Sequence, residues 1–322
     1  MTSVGKVPPF SWLKRSLDGV TAMWSEKGDP RALAFCRMFL FWHAARELEP
    51  EHYARYMLVG ELAWKPHGYF QSLELLPPSP QTARALVLGY IVASYFAAAG
   101  AFYRVSALVA AGLSLYLHAV LQNFGKALHT YHLFSLSLVI LSFARAADVW
   151  SIDALVKRWL ARNKGAAFAR VEPNVEYRWP LLFVGSTILV MYGAAGISKL
   201  YLTGWVWALS DNFRQTLLQS QFDGSPPTKV GVWLANYPTV CQAAALGALC
   251  VEASSWLGLI NRYLYWVWAG FVVLLQFGIW FLMGVTFGEL PTLFAFFLPW
   301  NFLIEKADAL LGRLRPAPAS SA

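Results

Sequence analysis

The sequence predicts an all-α fold: a polytopic membrane helix bundle of about eight transmembrane helices, preceded by an N-terminal interfacial amphipathic helix. Hydrophobic residues fill 57% of the 322 positions, more apolar surface than a soluble chain of this size can hide. Charged residues make up only 14%, about half the usual share. Aromatics reach 16%, and 15 of them are tryptophans, a residue that favours the membrane–water interface.

The charge balance follows from the same reading. A net charge of +8 fits basic cytoplasmic loops and anionic headgroups. No basic stripe lies on a soluble domain, so membrane lipid is the expected partner and nucleic acid is not. The 3 cysteines, Cys36, Cys241 and Cys250, form no CxxC pair and lie inside apolar segments. That argues against a disulfide framework or a zinc site, and no metal is expected.

Along the chain, residues 1–30 read as the interfacial segment. Phe10, Leu13, Leu17, Val20 and Trp24 recur at helical spacing, with Lys14, Arg15 and Asp18 between them. No cleavable signal pattern is present. Asp29-Pro30 signals a helix start, and Arg31 to Arg46 is apolar apart from Arg37 and His43. Clear spans are expected at 82–101, 104–122 and 127–145, each near the roughly twenty residues a bilayer requires, and further spans at 180–200, 238–259, 263–285 and 290–304. Residues 31–305 thus form the transmembrane domain, and 306–322 a short cytoplasmic tail. The connections 46–81 and 201–237 are too short for separate domains, so the helices and these loops must build any binding site. With eight spans and a cytoplasmic N-terminus, inside segments carry about twice the lysine and arginine of outside ones, which places both termini in the cytoplasm.

Three short motifs then stand out: His129-Thr130-Tyr131, Trp150-Ser151-Ile152-Asp153, and Ala195-Gly196-Ile197-Ser198-Lys199-Leu200 followed by Trp205. With them, residues 30–305 resemble the transmembrane module of vitamin K-dependent gamma-glutamyl carboxylases and their bacterial relatives, the horizontally transferred transmembrane domain family. The helices of Arg37 and Glu252 are similar to family positions as well. The resemblance implies a carboxylase-like membrane enzyme of the lyase class, using reduced vitamin K or another quinol as cofactor. It implies Lys199 as the base that deprotonates the quinol and His129 as the active-site histidine. It also implies residence in a bacterial inner membrane. Two departures shape the expectation. Gln276 lies where the family carries a further histidine, and the chain ends soon after its last span, without the large lumenal domain that holds peptide substrates. Carboxylation of a clotting-type substrate is therefore not expected.

The polar residues carry readings of their own. The span from Arg178 to Lys199 covers about 30 Å and brings Lys199 to the outer face, where the next-upstream span starts with His129 and His132 and an earlier one ends with His118. Lys199 is either a headgroup anchor or a base, and a base must give up its proton through partial burial. His129 and His132 share a helix face. They suit an acid–base pair over a quinol-like ring, interhelical hydrogen bonding, or a metal pair with His118 as third ligand. As cofactor-binding residues, His132 and His118 would line that ring. Arg37 and Glu252 are costly in hydrocarbon and are expected to form a structural polar pair. Gly193 and Gly196 permit close helix approach, Asp153 is expected to cap the helix that follows it, and Cys241 and Cys250 are small packing residues.

Two functions follow. One is a membrane enzyme that modifies a peptide or small molecule at the outer face with a reduced quinone-like cofactor. The alternative is a non-catalytic subunit that supports maturation or export of a peptide or protein partner. A transporter is disfavoured, because neither an inverted repeat nor paired broken helices is visible.

Overall fold

A computed structural model describes residues 11–59, 63–124, 129–166, 170–223, 226–285 and 288–314. The start of the expected interfacial segment and the end of the expected tail lie outside these residues. The described chain is helical, with no strand, and five helices are long and apolar enough to cross a membrane: Pro80–Ala99, Tyr103–Gln122, Trp179–Thr203, Pro238–Leu259 and Arg262–Met283. These match five of the expected spans and fit an integral membrane protein.

In chain order the helices used below are α1 (Ser11–Trp24), α2 (Pro30–Glu47), α3 (Pro50–Leu58), α4 (Pro80–Ala99), α5 (Tyr103–Gln122), α6 (His129–Phe143), α7 (Ile152–Asn163), α8 (Trp179–Thr203), α9 (Val206–Leu209), α10 (Asn212–Asp223), α11 (Pro238–Ser254), α12 (Arg262–Met283) and α13 (Trp300–Leu314). Their starts obey local chemistry. The Asp29 side chain accepts from Arg31 N with Pro30 in the first turn of α2. Ser79 accepts from Thr82 N ahead of α4, and Asn261 accepts from Tyr263 N and Leu264 N ahead of α12. Each cap satisfies donors that the first helical turn leaves open.

The other expected spans differ. The described apolar part of α6 covers Tyr131–Phe143, and the start of the expected span 127–145 lies outside the described residues. α2 has the length but carries too many polar groups to count on composition. Residues 290–304 are not one helix. Leu290–Leu293 and a 3₁₀ turn over Phe294–Phe297 stop at an extended Leu298, and α13 restarts at Trp300. Pro299 explains the break, since proline disfavours helix in the residue before it and lacks an N–H to donate.

The chain divides into two compact units. The first comprises Lys27–Val184 and Glu289–Ala322, the second Met1–Glu26 and Gly185–Gly288. In the first unit, contacts gather at the two ends of α2. At its start, Arg31 donates to both Asp308 carboxylate oxygens at 2.7 and 2.8 Å, and Asn301 reaches Lys27 O at 3.1 Å. Gly28 and Asn174 exchange backbone hydrogen bonds at 2.9 and 3.1 Å. Toward its end, Arg84 pairs with Glu51 at 2.8 Å, Tyr53 OH donates to Leu117 O at 2.8 Å and Lys65 N to Asn123 O at 2.7 Å.

Midway along α2, Arg37 is fully buried and donates to Ala146 O at 2.9 Å and Trp150 O at 2.6 Å. Gly100, at φ 66°, closes α4 against this joint. A Cβ there would stand 2.4 Å from Ser151 Cβ and 2.8 Å from Arg37 Nη1. Asp153 does not cap α7 as expected. Ser151 does, accepting from Ala154 N at 2.9 Å, while the Asp153 carboxylate accepts from Phe102 N and Tyr103 N, both at 2.9 Å, at the start of α5. Trp150-Ser151-Ile152-Asp153 is thus an architectural joint: one residue receives Arg37, one caps its own helix and one caps another.

Within the second unit, α1 packs on the start of α12, where Gly19 leaves only 3.0 Å between an added Cβ and Ile260 O. Arg262 reaches Glu26 at 3.0 Å. The three cysteines are free.

Candidate functional site

In the second unit, α8 and α11 touch through glycine. A Cβ on Gly196 would lie 2.2 Å from Ala253 N, and one on Gly193 would lie 3.3 Å from Ser255 Oγ. Ser255 Oγ donates to Leu189 O at 2.6 Å and fastens the same pair of segments. At Gly196 the expected close approach is a backbone contact that only a residue without Cβ permits, while Gly193 meets side chains alone.

The approach sets the chemistry. Lys199, one turn after Gly196, faces Glu252, one residue before Ala253, and its Nζ donates to Glu252 Oε2 in an ion pair. The ammonium also sits 4.5 Å above the Trp207 ring, in α9, a favourable cation–π position. Side-chain exposures of 28% for Lys199 and 9% for Glu252 make this a partly desolvated pair rather than a surface one. The sequence expectation that Glu252 pairs with Arg37 is therefore corrected. Each charge has its own partners: carbonyls for Arg37 and Lys199 for Glu252. The two Nη groups of Arg37 are taken by the Ala146 and Trp150 carbonyls, and Lys199 is the cation that the Gly196 contact delivers to Glu252.

Beside the pair lies a cavity of about 550 Å³. Its walls are apolar, with Phe271, Leu274, Ile279 and Met283 from α12 and Ala248 from α11, while Lys199 and Glu252 lie among its few polar lining groups. The size falls within the range of small-molecule sites, roughly 300–1,000 Å³. Such a space suits an amphipathic molecule with an apolar body and a hydrogen-bonding head. Gln276 is buried and accepts from Tyr192 OH at 2.9 Å, joining α12 to α8.

The expected histidines belong to the first unit and Lys199 to the second. His129 begins α6, and its side chain lies outside the described residues. His132 is exposed. His118 is buried, with Nδ1 held by Ser114 Oγ at 3.2 Å and Ser135 Oγ at 3.1 Å, and its ring stacks on Tyr131 at 4.5 Å. Its Nε2 lies 3.3 Å from Glu47 Oε1 without hydrogen-bonding it, so the ring borders the Glu47 carboxylate. Sequence reasoning missed Trp207 and the cavity wall. The signal available was the Gly196–Lys199 spacing, which places both on one helix face and makes whatever meets Gly196 the neighbour of Lys199. No family model matches the chain, and no curated protein and no solved structure matches it.

Proposed function

We propose that the chain is a multi-pass membrane protein that binds a reduced quinone or a similar amphipathic lipid in the α11–α12 cavity and uses Lys199 as a base toward its head group. The observation that carries this is the Lys199–Glu252 pair on the wall of an apolar cavity of about 550 Å³. The resemblance to the carboxylase membrane module supports the same role for Lys199. A bound quinol would supply a weakly acidic hydroxyl whose deprotonation opens the ring to oxidation. Glu252 holds the Lys199 amine in place and can take its proton, since transfer within the pair changes no net charge. The apolar wall excludes water, which strengthens every polar contact at the head.

The proposal includes orientation. The inside excess of lysine and arginine supports a cytoplasmic N-terminus, and the family resemblance supports a bacterial inner membrane. The contacts of α13 with Lys27 and Arg31 support the C-terminal helix on that same side, although 290–304 is broken. Lys199 then belongs to the outer half, where the substrate would be a peptide or small molecule.

The test supplies a reduced naphthoquinone to the protein in lipid nanodiscs and follows binding and aerobic oxidation of the quinol. Wild type should bind it and speed its oxidation. Lys199→Arg should bind it without that acceleration, because arginine keeps its charge and cannot give up its proton at ordinary pH. Equal acceleration by Lys199→Arg would sink the catalytic role. Absence of binding, with a second chain co-purifying, would instead favour the non-catalytic subunit.

A further inference from the structure

In the first unit, His43 and Glu47 lie four residues apart on one face of α2, and Glu289 reaches the same point from the turn before Leu290. One ligand atom from each lies within 4.8 Å of the others. All three residues present an atom that is shut off from solvent and has no hydrogen-bond partner: His43 Nε2, Glu47 Oε2 and Glu289 Oε2. The Glu47 side chain is 2% exposed and Glu289 is 7% exposed. Two neighbouring buried carboxylates without a cation are costly.

The surroundings hold this set in place. Glu47 Oε1 accepts from Tyr90 OH at 2.5 Å and lies 3.3 Å from His118 Nε2. His118 is itself fixed through Nδ1 by Ser114 and Ser135. One Glu47 oxygen is thus occupied and the other is left open, as outer groups orient a metal ligand. A cavity of about 240 Å³ borders Glu47, with Glu49, His52, Tyr53, Gln122 and Tyr131 in its lining.

We propose that His43, Glu47 and Glu289 form a binding site for a first-row divalent cation, with Tyr90 orienting Glu47. One imidazole and two carboxylates suit zinc, manganese or ferrous iron. A divalent ion cancels the charge of both carboxylates. Coordinating atoms about 2.1 Å from a common ion stand roughly 3–4 Å apart, so small side-chain rotations bring all three into place. This site is independent of the Lys199 cavity.

The experiment loads chelator-stripped full-length protein in nanodiscs with zinc alone, measures uptake by calorimetry and elemental analysis, and reads the ligand shell by X-ray absorption. The expected result is one tightly held zinc per chain, with nitrogen and oxygen neighbours at about 2.0–2.1 Å and no sulfur. Glu47→Gln and Glu289→Gln should each weaken binding at least a hundredfold. No uptake, or uptake that both variants retain, would overturn the site and leave the two carboxyls sharing a proton. If both variants fail to fold, the wild-type shell decides: a sulfur or all-oxygen shell overturns the site, and an imidazole–carboxylate shell sustains it.

Discussion

Arg37 and Lys199 are both cations that a membrane-spanning chain has to place, and the two units place them in different settings. In the first unit, Arg37 is fully buried, takes two backbone carbonyls and has Gly100 and Ser151 packed around it. In the second, Lys199 keeps 28% of its side chain exposed, pairs with Glu252 and borders a cavity of about 550 Å³. The comparison teaches that burial of a charge does not mark a functional site. Arg37 is deeper, yet its guanidinium ties together two carbonyls of the turn between α6 and α7, and that is an architectural task. Lys199 is the shallower cation, but there is room beside it for a ligand. Open space next to a paired charge distinguishes the two.

The largest effect should come from closing the Arg37 joint. Gly100→Ala places a methyl at a left-handed φ and 2.4 Å from Ser151 Cβ. The strain and overpacking should cost about 3 kcal/mol, read as a lowered thermal midpoint in detergent, with α4, α5 and α7 losing hydrogen-exchange protection together. A wild-type midpoint would show that the joint is looser than described.

Next comes the helix contact that builds the site. Gly196→Ala sets a methyl 2.2 Å from Ala253 N and should cost about 2 kcal/mol. It should also separate Lys199 from Glu252, so quinol binding falls by more than the loss of stability explains. Unchanged binding would mean that the Gly196 contact does not position Lys199.

The smallest effect belongs to the exposed ends. The Asp308 carboxyl is held below the ordinary aspartate range by its hydrogen bonds to Arg31. A carboxyl lowered on folding stabilises above its unfolded value, and that contribution is lost as pH falls through the folded one. Thermal midpoints of wild type and Asp308→Asn should therefore differ slightly at neutral pH and converge in acid, below the ordinary aspartate range. A gap that widens in acid would reverse this assignment.

Much of this was legible in the sequence for identifiable reasons. The five long apolar helices carry Pro, Ser or Asn signals at several of their starts, and Gly193 and Gly196 announce a close contact. The break at Leu298-Pro299 was legible too, but a run of phenylalanines concealed it, because hydropathy weighs apolarity and ignores a missing backbone donor. Partnering was harder to read. Asp153 sits where a cap for α7 belongs but serves α5, which comes earlier in the chain, and Glu252 meets Lys199 rather than Arg37. One-dimensional spacing fixes which face a residue occupies, whereas its partner depends on which helices pack. Glu47 and Glu289 were hidden for the same reason, since each looks like an ordinary helix-end charge until Tyr90 of α4 and His118 of α5 close on Glu47 and the turn of Glu289 packs on α2 and α6.

The central claim is that the cavity beside Lys199 and Glu252 holds an amphipathic ligand. Gly278 lines that cavity, and an added Cβ there meets nothing within 4 Å. Gly278→Leu therefore fills the space while favouring the helix by close to 1 kcal/mol. Native mass spectrometry of gently solubilised wild type and Gly278→Leu compares the two directly. Wild type should carry a quinone-class or lipid mass, and Gly278→Leu, folded and at least as heat-stable, should lack it. An identical bound mass in both proteins, or none in wild type extracted from its native membrane, would contradict the claim.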